Sequence, residues 1–443
     1  MVGQGEGRKQ AQSVANLLEL FIGPLEGWLD DQLDRRLVRT FFLALAAMVR
    51  LRHNRSGLLL SELGGHILSP DKAPAGTKRL SNLLRSPKWS HTLLERFLWY
   101  RSDAALADLQ AAGETPLALW DESVLEKSES LALEGLGPVR SSKAARLKRI
   151  KPGYYNPPGG PPVFVPGLQW ITIMVAGYSG PPTLAAMRWW TRRGPLATDR
   201  FTNLISLLDH CADKWGQGVI HVWDRGFAGG PWLKELTSRR LRFVMRWHTN
   251  YHLTDDKGSR NAWKIARGKR SVDHRMLWDI NRRQYRKTGI VYLPVRHHQV
   301  EQPLWLVVSR PGPGRKPWYL LTNESITDVA DAWKVVFAYA RRWQVELCYR
   351  ACKTDLAMES PRLWFWENRL KLLLMVSLLY SFLLSLLDQC CQPLLQDLLR
   401  NWCHRTGKRY RDAAIPLPRI RSALSALWLA YPPNFSICTG NSG

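Results

Sequence analysis

Residues 14 to 110 repeat apolar positions with a helical period, as in LVRTFFLALAAMVRLRHN from Leu37, and lack strand alternation, so this part reads as a helical bundle. Within it, TKRLSNLLRSPKW at 77–89 is a short basic amphipathic piece suited to lying on DNA. From 115 the pattern changes. LALW (117–120), ITIMVA (171–176), TLAAMRW (183–189), GVIHVW (218–223) and RFVMRW (242–247) are short apolar strands bounded by Gly and Pro, and TNLISLLDHCADKW (202–215) separates two of them as a helix. Residues 250 to 316 are basic and turn-rich, and WYLLT (318–322) then resumes the strand pattern. An insertion within an α/β domain accounts for that order.

A long helix is predicted to follow, starting near 327 with the hydroxyls of Ser325 and Thr327 as cap candidates and Asp328 as an acid in the first turn, and running about seven turns. Its segment YARRWQVELCYRACKTD carries Tyr339, Arg342, Glu346 and Lys353, and at about 100° per residue these point to about 0°, 300°, 340° and 320°. They share one face. Val336, Phe337, Ala340, Leu347, Cys348, Ala351 and Cys352 fall mostly on the other side, with Arg341 the exception. Taken alone, the polar face is compatible with a solvated surface laced by Arg342/Glu346 and Glu346/Arg350 pairs.

Net charge changes the picture. The 443-residue chain carries +26, which points to a polyanionic partner, DNA or RNA before a membrane surface. Six basic residues and no acid lie between Arg140 and Lys151, and eleven basic residues face only Asp273 and Asp279 from Lys257 to Lys287. Both blocks suit phosphate contacts. The seven cysteines have no zinc-site or disulfide spacing, which fits a reducing cytosol, and MVGQGEGRKQAQ lacks the apolar stretch of a signal peptide. LLLMVSLLYSFLLSLL (372–387) is shorter than the roughly twenty residues a membrane span needs, so a buried core helix of a soluble protein is expected.

Asp121 follows LALW and Asp224 follows GVIHVW, in VWDRGFAGG. Acids at the ends of neighbouring strands converge at one sheet edge, and Glu346 on a helix beside it could join them. Three carboxylates at one point repel unless a divalent cation neutralises them, which implies an oxygen-ligand metal site with Mg²⁺ as natural occupant. Two ions about 4 Å apart can activate a nucleophile and stabilise the leaving oxygen at a phosphodiester. Glu122 would point elsewhere on an extended chain.

The spacing YxxRxxxExxxxxxK at Tyr339, Arg342, Glu346 and Lys353, preceded by Asp121 and by Asp224 in DRGF, resembles the insertion-sequence-four family of bacterial DDE transposases, over roughly residues 70 to 390. The resemblance implies a ribonuclease-H-like mixed sheet flanked by helices and interrupted by a β-rich insertion. The expected organisation is a helical DNA-binding region (1–110), the first part of the catalytic core (111–250), the basic insertion (251–317), the second part of the core (318–390) and a C-terminal helical region suited to dimerisation (391–443). Removing residues 1–110 is expected to leave a folded core. The resemblance also implies cut-and-paste transposition of an insertion sequence by strand cleavage, hairpin formation and strand transfer, with Asp121, Asp224 and Glu346 binding two Mg²⁺ ions, for which Mn²⁺ can substitute. Tyr339, Arg342 and Lys353 would grip phosphates, with Arg246 a further contact, and Trp318 would stack on a base flipped out of the transposon end. The implied partners are double-stranded DNA, as terminal inverted repeats and target, and a second copy in a synaptic homodimer at the bacterial nucleoid. Two other readings use the same residues: a domesticated DNA-binding protein without catalysis, and a structure-specific ribonuclease-H-like nuclease.

Overall fold

The computed structural model describes residues 4–51, 57–127, 129, 131–141, 164–279, 284–403 and 417–436. Most of the basic run after Arg140, residues 280–283 of the second basic block, the Arg/Lys-rich stretch 404–416 and most of the tail lie outside the described residues. The strands, in chain order, are β1 (Leu117–Glu126), β2 (Gly137–Arg140), β3 (Phe164–Ala176), β4 (Thr183–Trp190), β5 (Ile220–Trp223) and β6 (Arg242–Arg246). They continue as β7 (His252–Asp255), β8 (Gly258–Asn261), β9 (Asp273–Asp279), β10 (Gln284–His297), β11 (Val300–Arg310) and β12 (Trp318–Thr322). All join along one path, β2-β3-β1-β5-β6-β12-β11-β10-β7-β8, with β4 beside β3 and β9 beside β10.

β4, β3 and β1 form an antiparallel meander, and β5 and β6 then run parallel to β1. This is the expected mixed α/β arrangement, a large mixed sheet flanked by helices. The insertion is not a separate module. β11 pairs with β12 from Trp305↔Thr322 to Ser309↔Trp318, so the inserted strands prolong the central sheet.

Period-two alternation sorts the sheet residues between two cores. Leu117 and Leu119 of β1, Ile220 and Val222 of β5, and Val244 of β6 pack on one side, with the helices Val329–Arg341, Trp343–Arg350 and Trp366–Ser385. Ala118, Trp120, Trp223, Phe243 and Met245 pack on the other, against the helices Arg200–Trp215 and Gly230–Ser238. Glu122 obeys the same alternation: it points to the second side and forms a bidentate pair with Arg200, whose Nε lies 2.8 Å from each carboxylate oxygen.

The apolar run 372–387 lies within Trp366–Ser385, a helix buried in the fold. It ties the N-terminal helices to the sheet: Phe382 packs edge-on against Phe21 at 5.6 Å, and Ser377 meets Met187 of β4 at 3.1 Å. From the helix Leu417–Ala430, buried Arg421 donates to the carbonyls of Met48 (3.0 Å) and Val49 (3.2 Å). The regions expected at 1–110 and 391–443 therefore share one core with the buried helix. Removing residues 1–110 would expose the part of that core which these helices cover.

Candidate active site

The strand register alone aligns three predicted residues. β1 and β5 pair in parallel as Leu117↔Ile220, Ala118↔His221 and Leu119↔Val222, which carries Asp121 alongside Asp224. β5 and β6 pair as Ile220↔Arg242 through Trp223↔Met245, which carries Asp224 alongside Arg246. All three residues share the parity of Leu119, Val222 and Val244, so they face the side covered by the long helix. Asp121 is not at the end of its strand: β1 continues to Glu126 because β3 pairs with it throughout, Asp121 opposite Thr172. What ends there is β5, and the opening beside β1 is where the acids meet.

The helix enters over this row. Asp328 caps it, accepting from the Asp331 amide at 2.9 Å, while Asp331 accepts from the Thr327 hydroxyl at 2.8 Å. It is not the uniform α-helix predicted. Val329–Arg341 and Trp343–Arg350 meet at Arg342, where the bonds Arg342 N→Tyr339 O (3.1 Å) and Val345 N→Arg342 O (3.0 Å) tighten the turn. Ala351–Asp355 then widens into a π-turn, and Ala357 ends the run with φ +51°. A tight turn and a wide one shift the helical phase in opposite directions, so the polar residues stay on one side. Arg341, the exception on the apolar side, places its guanidinium on the carbonyls of Gly180 (2.6 Å) and Ser179 (3.3 Å).

Tyr339, 4% exposed, donates its hydroxyl to Asp224 Oδ1 at 2.9 Å and receives Arg246 Nη1 at 3.5 Å. Arg246 Nη1 is also 3.9 Å from Asp224 Oδ1. Arg342 donates Nη1 to Asp121 Oδ2 at 2.8 Å and Nη2 to Glu346, and its Nε is 3.9 Å from Asp224 Oδ1. Lys353 donates to Ser123 Oγ at 2.9 Å, two residues along β1 from Asp121 and on the same face. Trp318, at the start of β12, meets the Tyr339 ring edge-on at 5.0 Å. The structure thus brings all eight predicted residues together.

Sequence reasoning missed two supports. Ser123 anchors Lys353, and buried Tyr349 donates to the Asp121 carbonyl while packing edge-on against Trp170 at 4.7 Å. Tyr349 lies ten residues beyond Tyr339, at about 280° on the same wheel, and could have been found at the edge of the polar face beside Arg342.

The two aspartates differ electrostatically. Burial pushes the Asp121 carboxyl up to about 6, and Arg342 only partly counters this against the added repulsion of Asp224 and Glu346. Burial also works against charge on Asp224, but Arg342, the Arg225 amide, the Tyr339 hydroxyl and Arg246 together hold it below the usual carboxylate range. Tyr339 is pushed up to about 12 by burial and by Asp224, and stays a protonated donor. Burial opposes the charge on Arg342, yet Tyr339, Asp121, Asp224 and Glu346 more than offset this and raise its pKa.

Asp121, Asp224 and Glu346 are the residues that could hold a divalent cation. Their all-oxygen donor set suits a hard ion such as Mg²⁺, and Asp121 is short of compensating positive charge. As they stand, the oxygens turn toward Arg342, and among the described residues no group of three or more acids, histidines or cysteines is arranged to hold a metal ion.

Residues 198–382 match the family model described as a transposase DDE domain. The matched segment holds Asp224, Arg246, Trp318, Tyr339, Arg342, Glu346 and Lys353, with Asp121 before it. Among solved structures, the chain is similar to the cryo-EM structure of the piggyBac transposase synaptic complex with hairpin DNA. The identity is 14% and the TM-score 0.42, covering 89% of this chain and 71% of that one. No curated protein matches the chain.

Proposed function

We propose that the protein is a DDE transposase of the insertion-sequence-four type that moves a bacterial insertion sequence by cut-and-paste. The observation that carries this reading is the register row Asp121, Asp224, Arg246 on adjacent parallel strands, capped by Tyr339, Arg342 and Glu346 from one helix. Acids from two strands and a helix beside three cations suit a phosphodiester, whose reaction gathers negative charge on oxygens held in line.

In this reading Asp121, Asp224 and Glu346 hold two Mg²⁺ ions, replaceable by Mn²⁺, which when bound supply charge neutralisation and an activated oxygen nucleophile. Arg342, Arg246 and Lys353 fix the phosphates around the scissile bond, and the Tyr339 hydroxyl donates to a phosphate oxygen or to Asp224. The substrates are the element's terminal inverted repeats and target DNA, cut within a synaptic homodimer in the cytoplasm at the nucleoid. The insertion adds DNA contacts. The outer face of β9 and β10 exposes Met276, Trp278 and Tyr285, the last two paired edge-on at 5.2 Å, within the second basic block. Aromatic side chains among cations suit a nucleic acid.

The test is incubation with Mg²⁺ and DNA carrying the inverted repeats that flank the gene. Nicking at the repeat end followed by a hairpin supports the reading. Binding without cleavage would make the protein a catalytically inactive DNA-binding protein, and cleavage of branched DNA regardless of end sequence would make it a structure-specific nuclease.

Trp318 is the base-stacking residue in this scheme, since hairpin formation crowds the terminal nucleotides and one base must leave the stack. Stacking on an aromatic ring offsets that by roughly 1–3 kcal/mol. Trp318→Ala is expected to leave first-strand nicking in place while hairpin yield falls about 10- to 100-fold, with partial rescue by an abasic site at the flipped position. Equal loss of nicking and hairpinning without rescue would leave Trp318 as packing for Tyr339.

A further inference from the structure

The acids of the site already share a cation. Arg342, 8% exposed, donates to Asp121 at 2.8 Å and to Glu346, and lies 3.9 Å from Asp224, so one guanidinium serves three carboxylates from β1, the end of β5 and its own helix. The other cations hold different positions. Arg246 reaches Asp224 only at 3.9 Å and also contacts Tyr339, and Lys353 is bonded to Ser123. A magnesium ion takes oxygen ligands at about 2.0–2.1 Å and would need the oxygens that Arg342 now engages. Two cations at one point repel each other.

A DNA phosphate is the ligand that can relieve this conflict. A guanidinium fork matches a phosphate as well as a carboxylate, and forms bidentate pairs with either. Arg342 also sits at the joint between two helical segments, where the backbone bonds at 3.1 and 3.0 Å span three residues rather than four. We propose that Arg342 is an internal counter-cation: it holds the three carboxylates against divalent metal in the free protein and moves onto a phosphate when DNA arrives. Metal binding and DNA binding are thereby coupled, and the free protein keeps its nucleophile-generating site closed. The coupling is reciprocal, so metal tightens DNA binding by the same factor that DNA tightens metal binding. This inference rests on reading Asp121, Asp224 and Glu346 as the metal site.

The experiment measures Mn²⁺ binding to the full chain by calorimetry and by the electron paramagnetic resonance of unbound Mn²⁺, with and without a duplex ending in the element's inverted repeat. Asp224→Asn serves as the baseline that subtracts Mn²⁺ held by DNA phosphates. For the wild type, DNA is expected to tighten Mn²⁺ binding about tenfold or more. Arg342→Gln is expected to bind Mn²⁺ at the tighter level without DNA, and to gain little when DNA is added. Arg342→Lys should fall between, because an ammonium makes a point contact where the fork makes two.

If folded Arg342→Gln binds Mn²⁺ no more tightly than the wild type while Asp224→Asn loses binding, the inference fails and the metal reading of the acids stands. If no Mn²⁺ binding depends on Asp224, with DNA or without, both fail together. Should Arg342→Gln not fold, the wild type decides: an Mn²⁺ affinity unchanged by DNA overturns the coupling.

Discussion

Asp224→Asn is expected to lower strand cleavage about a thousandfold or more while binding to the transposon end persists. The amide is isosteric, so the strand end and the Tyr339 contact keep their shape, but the negative charge that would hold a divalent cation is gone. The cationic surface proposed to bind the DNA backbone is untouched. Asp121→Asn and Glu346→Gln should behave alike, as read by cleavage gels beside gel shifts. A variant that still cut at near the wild-type rate would remove that acid from the site.

The same substitutions should separate the aspartates by stability. Asp121, pushed up to about 6, binds its proton more tightly folded than unfolded. Its charge therefore costs stability, fully above about pH 6, and the cost disappears as pH falls toward about 4. Asp121→Asn should stabilise the free protein at pH 7.5 by up to about 3 kcal/mol, less what the lost Arg342 contact contributed. Asp224 has the opposite sign. Its depressed pKa contributes stability above the usual carboxylate range that is lost as pH falls through the depressed value, so Asp224→Asn should destabilise at neutral pH. Melting curves at pH 7.5 and 5 check both signs.

The site was more legible than the connections around it. Apolar runs ending in Asp121 and Asp224 showed where acids leave a sheet, and a helical face carrying Tyr339, Arg342, Glu346 and Lys353 is a periodic signal that survives a tight turn and a π-turn. β1 reads as ending at Trp120 because Asp121, Glu122 and Ser123 interrupt its apolar pattern, yet β3 pairs with all of it. That pairing is set by a partner some fifty residues away in sequence, which no local period reveals. The same limit hid how β12 comes to pair with β6, and how Phe21 comes to pack on Phe382. Alternation says which face of an element is buried, not what buries it. It was also silent on the neutralising role of Arg342, which depends on distances between three separate elements.

Lys127 illustrates the remaining gap, and its replacement should have the largest effect on stability. A lysine after an apolar strand reads as a solvated end, but Lys127 is 2% exposed. Its ammonium donates to the carbonyls of Glu359 (2.8 Å) and Pro361 and lies 3.2 Å from Glu129 Oε1. Burial pushes its pKa down to about 8 even with Glu129 beside it. These bonds fasten the segment that leads from the helix Trp343–Arg350 to the buried helix, and Arg369 fastens the rest of it through the Leu363 and Trp364 carbonyls. Lys127→Met would keep most of the packing volume while leaving two buried carbonyls without a donor and Glu129 without its cation. Breaking a buried pair in this way costs about 3–5 kcal/mol. Lys334→Met is the control: its partner Asp331 is 3.0 Å away, but the lysine side chain is 65% exposed, and such changes stay within about 0.5 kcal/mol. Denaturant titration of both variants should place Lys127→Met several kcal/mol below the control, with cleavage reduced because Lys353 and Glu346 lie on the helix that this segment anchors. Equal stability of the two variants would show that Lys127 is not the fastening.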